Sequence, residues 1–329
     1  MDYKTFTEPL INWYLKNHRP LVFRETSDPY HIWVSEIMAQ QTQIATMLPY
    51  YENWIQRWPS INKLAEADIN DVLKAWEGLG YYSRARNLHK SAQLLVEENS
   101  AQFPSSVDDM IKLPGIGDYT ANAIASIAYK QKAIAIDGNV IRVMSRVLAS
   151  EKDYLKVKNK NELKVILLNL LEDANPSYFT QALMELGALI CLPTSPKCDE
   201  CPLNQSCLAF KTNTQDNYPL KKVKKKNPVL HYDTFVIIKD KQILMSKDDS
   251  DGLMKGLIRL PQQPSKLKLI PIMTSKHIFS HKTWLINVYD DVSFLKENPL
   301  YEWVSLESLN NYSIITAHRV ILTSLGHLK

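Results

Sequence analysis

All four cysteines of this 329-residue chain fall between positions 191 and 207, as Cys191-x6-Cys198-x2-Cys201-x5-Cys207, and this spacing constrains the fold more than any other feature. Four thiolates so close in sequence can surround one soft metal centre, either zinc or an iron–sulfur cluster; spacing alone leaves both open. A disulfide framework would tie distant parts of a chain together, and unconnected buried cysteines would scatter along it. The pattern therefore predicts a metal-bound loop in a reducing, cytoplasmic compartment. The opening Met1-Asp2-Tyr3-Lys4 carries mixed charge with no apolar stretch after it, which excludes an ordinary secretory signal. The longest apolar runs, such as residues 165–168, fall far short of a membrane span.

The residues before the cysteines read as helix after helix. In 33–48, Val34, Ile37, Met38, Ile44, Ala45 and Leu48 recur at helical spacing and Pro49 follows, which predicts one helix. Residues 71–76, 83–97, 121–128, 140–149, 161–171 and 178–190 behave alike, with Pro and Gly mostly between them. After Phe210 the register changes: 211–228 is polar and lysine-rich and reads as a linker. Beyond it, 234–238 and 242–245 are short β-type runs joined through Asp240-Lys241 as a hairpin; 284–289 is a further strand, and 314–325 a closing helix. The length suits two domains, a helical one over 1–210 and a mixed α/β one over 229–329.

The formal net charge is +4, but five lysines lie in the run 221–226, so the rest sums to about −1 (4 − 5). Charge alone does not argue for a nucleic-acid partner. Motifs do better. Leu113-Pro114-Gly115-Ile116-Gly117-Asp118-Tyr119 enters an apolar helix, and a Gly-x-Gly turn at a helix start exposes N–H groups to a phosphate oxygen. This is a helix-hairpin-helix signature; a plain tight turn is the competing explanation, and Asp118 sits awkwardly for phosphate contact. Asp137 opens a helix, where a capping role is ordinary. In Ser35-Glu36-Ile37-Met38-Ala39-Gln40-Gln41-Thr42-Gln43, a carboxylate and three glutamines among aromatics supply hydrogen bonds suited to a nucleobase edge. A Glu36 desolvated there would keep its proton near neutral pH. Gly78-Leu79-Gly80-Tyr81-Tyr82-Ser83-Arg84-Ala85-Arg86 sets aromatics on a glycine turn before basic residues, as a loop that wedges between bases and clamps phosphate would.

Together these motifs resemble the MutY-type adenine DNA glycosylases of the endonuclease III superfamily, over about residues 20–207. The Ser-Glu-x-Met-x-Gln-Gln-Thr-Gln and Gly-Leu-Gly-Tyr-Tyr-x-Arg-Ala-Arg-Asn-Leu segments resemble that branch in particular. The resemblance implies a mostly α region with helix-hairpin-helix and a 4Fe-4S cluster on Cys191, Cys198, Cys201 and Cys207, plus a smaller α/β Nudix-like C-terminal domain. That domain lacks a glutamate-rich Nudix box, so it is expected to bind and not hydrolyse.

The resemblance also implies roles. Glu36 protonates the flipped adenine, Asp137 stabilises or traps the oxocarbenium-like sugar, and Tyr119 orients them. Bifunctional relatives carry lysine at position 119; a tyrosine cannot form an imine, which implies a monofunctional enzyme. Gln181 contacts the adenine edge, Arg24 lines the pocket, Gln41 fills the duplex near the lesion, and Tyr81 wedges beside 8-oxoguanine, which Phe279-Ser280-His281 reads. Leu113, Gly115, Gly117, Arg84 and Arg86 meet the DNA backbone. The implied partner is double-stranded DNA containing 8-oxoguanine:A mispairs, bound by a monomer in the bacterial cytoplasm and nucleoid, with no membrane association. Phe23, Ala39 and Met254 depart from the family's usual Trp, Leu and Trp. An endonuclease III-like glycosylase acting on thymine or oxidised pyrimidines is the alternative enzyme, and a non-catalytic damage sensor the alternative of another class.

Overall fold

The computed structural model describes residues 2–220, 227–248, 255–295 and 298–328. The lysine run 221–226 and the departure at Met254 lie outside the described residues. The helices are α1 (Glu8–Asn17), α2 (Pro29–Ala39), α3 (Ile44–Arg57), α4 (Ile61–Ala65), α5 (Ile69–Ala75), α6 (Ser83–Asn99), α7 (Val107–Met110), α8 (Asp118–Ile127), α9 (Gly138–Val147), α10 (Val157–Leu171), α11 (Pro176–Leu189), α12 (Leu208–Lys211) and α13 (Thr316–Ser324). The chain divides into two compact units, Met1–Glu66 with Lys90–Val223, and Ala67–His89 with Lys224–Lys329.

In the first unit α1, α9, α10 and α11 enclose a core that includes Phe6, Leu10, Val143, Leu167, Phe179 and Leu186, and Cys191, Cys201 and Cys207 pack at its edge. The expected single helix over 33–48 is two helices. After Ala39 the chain leaves helical geometry at Gln40, Gln41 takes a left-handed φ of 55°, and α3 begins at Ile44. Three glutamines leave no apolar side chain to anchor that turn to the core, while Pro49 sits inside α3 rather than ending it. Residues 212–220 are not free of the helices either, because the buried Arg146 guanidinium donates to the carbonyls of Gln215 and Tyr218 at 2.9 and 3.1 Å.

In the second unit, strands β1 (Val229–Phe235), β2 (Ile238–Lys239), β3 (Gln242–Ser246), β4 (Gln262–Pro264), β5 (Met273–Ile278), β6 (Thr283–Tyr289) and β7 (Tyr301–Ser305) form two sheets, ordered β4-β1-β6-β5 and β2-β3-β7. Among the pairings of these strands, only β1–β6 is parallel. The Asp240-Lys241 hairpin forms between β2 and β3, both residues with positive φ as a primed turn requires.

Candidate active site

Side chains from well-separated parts of the sequence line one cavity of the first unit, with about 1240 Å³ of empty space, open solvent included. α2 contributes Glu36 and Ala39, the α2–α3 turn contributes Gln41, α8 contributes Tyr119, the start of α9 contributes Asp137, and α11 contributes Gln181. Phe23 and Arg24 complete the wall. Burial pushes the Glu36 carboxyl up to about 7, the nearby Asp137 charge adds to the rise, and a hydrogen bond with Tyr119 and the Arg24 charge oppose it. Burial beside these two carboxyls keeps the Tyr119 phenol protonated. Its hydroxyl also lies 3.9 Å from Met184 Sδ.

Asp137 is an N-cap, as the ordinary explanation has it, and it also faces the cavity. Its Oδ1 accepts from Val140 N at 2.7 Å and its Oδ2 from Asn139 Nδ2 at 2.9 Å. Burial raises its pKa, while these two donors and the Arg142 charge pull the other way. Asn139 Oδ1 in turn accepts from Arg142 Nη2 at 2.8 Å, and Arg142 Nε donates to the Cys191 carbonyl at 2.7 Å. Gln181 is buried and its Nε2 donates to Ser177 Oγ at 3.0 Å.

Sequence reading overlooked Arg19 and Glu185. Glu185 is fully buried in the cavity wall, where Arg19 grips it with two N–H groups at 2.7 and 2.8 Å and Arg24 Nη2 also donates. Burial alone would raise its pKa, but these guanidinium bonds hold it down at about 2. A signal was there: Glu185 stands four residues after Gln181, one helical turn along the same face.

The hairpin joins α7 to α8. Gly115 has a left-handed φ of 82°, Gly117 is the N-cap of α8 with no side-chain cap, and both glycines are exposed while Leu113 is half-buried. Asp118 is drawn aside by Lys160 and Lys164 at 3.3 and 3.7 Å, which relieves its conflict with an anion.

In the second unit Tyr81, at φ 48°, Arg86 and Phe279, Ser280 and His281 border a pocket with about 1170 Å³ of empty space, open solvent included. The Tyr81 hydroxyl hydrogen-bonds Ser280 Oγ. Arg84 is a correction. Instead of facing outward, it is 8% exposed, donates to the carbonyls of Leu79 and Gly80, and lies over the Trp76 ring. Burial lowers its pKa to about 10. Arg86 Nη1 donates to the Lys255 carbonyl.

The four cysteine thiols border a common pocket of about 400 Å³, open solvent included. Arg146 Nη1 lies 3.3 Å from Cys191 Sγ there, and burial pushes the Cys201 thiol up to about 12. Among the described residues no three His, Cys, Asp or Glu side chains are grouped to hold a metal ion.

Comparison with known proteins fits this arrangement. Residues 34–167 match the HhH-GPD superfamily of base excision DNA repair proteins, and residues 233–324 a NUDIX domain. An adenine DNA glycosylase of Buchnera aphidicola subsp. Schizaphis graminum is 36% identical over 314 residues, spanning 90% of each chain. The chain belongs to the adenine DNA glycosylase family. The human member of that family is 41% identical over 213 residues, covering 62% of this chain and 39% of the human one. A thermostable thymine-DNA glycosylase shares the fold at TM-score 0.59 and 23% identity, over 64% of this chain and 97% of its own. An endonuclease III–DNA complex gives TM-score 0.54 at 22% identity, over 63% and 94%. No helix among the described residues of this glycosylase-family chain is long and apolar enough to cross a membrane.

Proposed function

We propose that this protein hydrolyses the N-glycosidic bond of adenine mispaired with 8-oxoguanine or guanine in duplex DNA, and so initiates base excision repair. The observation that carries this reading is a carboxyl with its pKa near 7, Glu36, sharing one cavity with a second carboxyl that accepts two hydrogen bonds, Asp137. Two carboxyls whose environments differ divide into acid and base roles. Glu36 donates a proton to the extruded adenine, which leaves as a neutral base. Asp137, its carboxylate favoured by Val140 N and Asn139, stabilises the developing positive charge on the sugar or traps it. Tyr119, whose protonated phenol lines the same cavity, orients the two carboxyls. With no amine at position 119, the product is an abasic site and the strand stays intact.

In this reading the first unit excises, and residues 229–329 with the Tyr81 turn of the second unit inspect the opposite base. Gln181 meets the adenine and Arg24 lines the pocket; Gln41 and Tyr81 enter the duplex; Phe279, Ser280 and His281 read 8-oxoguanine. Leu113, Gly115, Gly117 and Arg86 hold phosphate. The protein acts as a monomer in the bacterial cytoplasm.

The cysteine loop suits a 4Fe-4S cluster. All four thiols line one pocket, as ligands of a single soft centre would, and the resemblance of their spacing to the endonuclease III superfamily favours the cluster over zinc. Cys191, Cys198, Cys201 and Cys207 would hold it; when bound, the cluster supplies a compact cross-link and local negative charge.

The test is single-turnover incubation with an 8-oxoguanine:A duplex, with alkali added as a separate step. Adenine release with strand breaks only after alkali is expected. Strand breaks without alkali overturn the monofunctional assignment. Release from thymine glycol or T:G duplexes, and not from 8-oxoguanine:A, would transfer the activity to the oxidised-pyrimidine class.

A further inference from the structure

Glu77 opens the turn that carries Tyr81, and four donors hold its carboxylate. Arg319 Nε and Nη2 reach Oε1 and Oε2 at 2.9 and 3.0 Å, Ile314 N reaches Oε1 at 3.1 Å, and Lys74 Nζ reaches Oε2 at 2.7 Å. That uses every acceptor site of a carboxylate. The Glu77 and Arg319 side chains are only 14% and 24% exposed. A forked, largely desolvated pair of this kind keeps one geometry, whereas an exposed point-charge pair does not.

Each partner is tied rigidly to one wall of the pocket between Tyr81 and Phe279. On the Glu77 side the turn is braced from within. Trp76 Nε1 donates to the Gly80 carbonyl at 2.9 Å, and Arg84 Nη2 donates to the carbonyls of Leu79 and Gly80 at 3.0 and 3.1 Å. Moving Glu77 therefore moves Tyr81. On the other side, Arg319 belongs to α13, whose Thr316 borders the same pocket. The buried His318 of α13 has its ring 6.3 Å from that of Trp284, which packs edge-on against Phe279 at 4.8 Å.

We propose that Glu77 and Arg319 are a positioning pair that sets the width of this pocket, and with it the preference for 8-oxoguanine over guanine opposite the target adenine. The proposal rests on the pocket being the lesion reader of the proposed function. Guanine and its 8-oxo form differ by one oxygen and one N–H, so telling them apart depends on where partner groups stand. A loosened wall loses that discrimination before it loses binding.

The experiment uses the full chain under single-turnover conditions and reads the ratio of adenine excision rates opposite 8-oxoguanine and opposite guanine. Glu77→Gln and Arg319→Met are each expected to lower the ratio about tenfold, and the double variant no further than either single one, as a double-mutant cycle requires of one coupled pair. A purely stabilising pair would lower the melting temperature and leave the ratio alone. Arg319→Lys keeps the charge without the fork; it is expected to lower the ratio severalfold, and it carries the test if Arg319→Met does not fold. A ratio within twofold of wild type in folded variants overturns the proposal. If the wild-type protein releases no adenine from either duplex, the proposed function fails instead.

Discussion

A carboxylic acid that is to protonate a base near neutral pH must still hold its proton there, and the environment of Glu36 is built for that. In the proposed mechanism its neutral form is the active one, so excision is expected to decline as pH rises through about 7. Glu36→Gln should lower the single-turnover rate by about 100-fold or more and remove that decline. Stability follows the same proton. Because the folded state raises this pKa above its ordinary 4.5, the stabilising proton is lost as pH climbs towards about 7. Thermal melts at about pH 8 should find Glu36→Gln at least as stable as wild type, with the advantage gone near pH 5. Gln41 poses a different residue-scale problem. A left-handed backbone costs an ordinary residue about 1–2 kcal/mol, so Gln41→Gly should stabilise the free protein by up to about 1 kcal/mol. The same change should weaken binding to the mispaired duplex, measured by titration, since the side chain proposed to enter the duplex is gone.

At the scale of elements, the start of α9 caps the helix and, in the proposed mechanism, serves the chemistry too, and substitution separates the two. Asparagine caps a helix about as well as aspartate, so Asp137→Asn should melt within about 1 kcal/mol of wild type yet lose at least about 100-fold in excision rate. Asp137→Ala should lose both, with about 1 kcal/mol of stability going with the cap. Where α9 meets α11, a methyl added at Gly187 would come within 2.5 Å of Asn139 Cβ and 3.1 Å of its Cα. Gly187→Ala should cost about 1–3 kcal/mol by denaturant melt and slow excision, because Asn139 holds Asp137. Much of this layer was legible in the chain. The helical segments later seen as α6, α8, α9, α10 and α11 announced themselves by apolar spacing, and so did β6 and α13. The break at Gln40–Gln43 did not, because the apolar spacing runs on across it into Ile44 and Leu48. β5 escaped for a related reason: its residues alternate between half-buried and exposed, so no apolar face marks it.

For the whole molecule, the cavity residues Glu36, Tyr119, Asp137 and Gln181 were nameable from motifs, but what surrounds them was not. Glu185 pairs with Arg19 across most of the helical sequence, and Arg84 turns inward to its own loop. Such partnerships depend on the folded chain and leave no periodic trace. The allegiance of Ala67–His89 is the largest case, since the motif of Tyr81 reads as part of a continuous helical domain while the segment packs within the second unit.

That allegiance decides what a nick or a premature stop after residue 220 would do. Three times the backbone passes between the units, at 66–67, 89–90 and 223–224, and the 220s border is only the last of them. Severing the tail there would strand Glu77 without Arg319 and Tyr81 without Ser280, so a loop encoded in the first third of the chain would unravel when the last third is lost. Protease sites opening near residue 80 on truncation would be the visible mark.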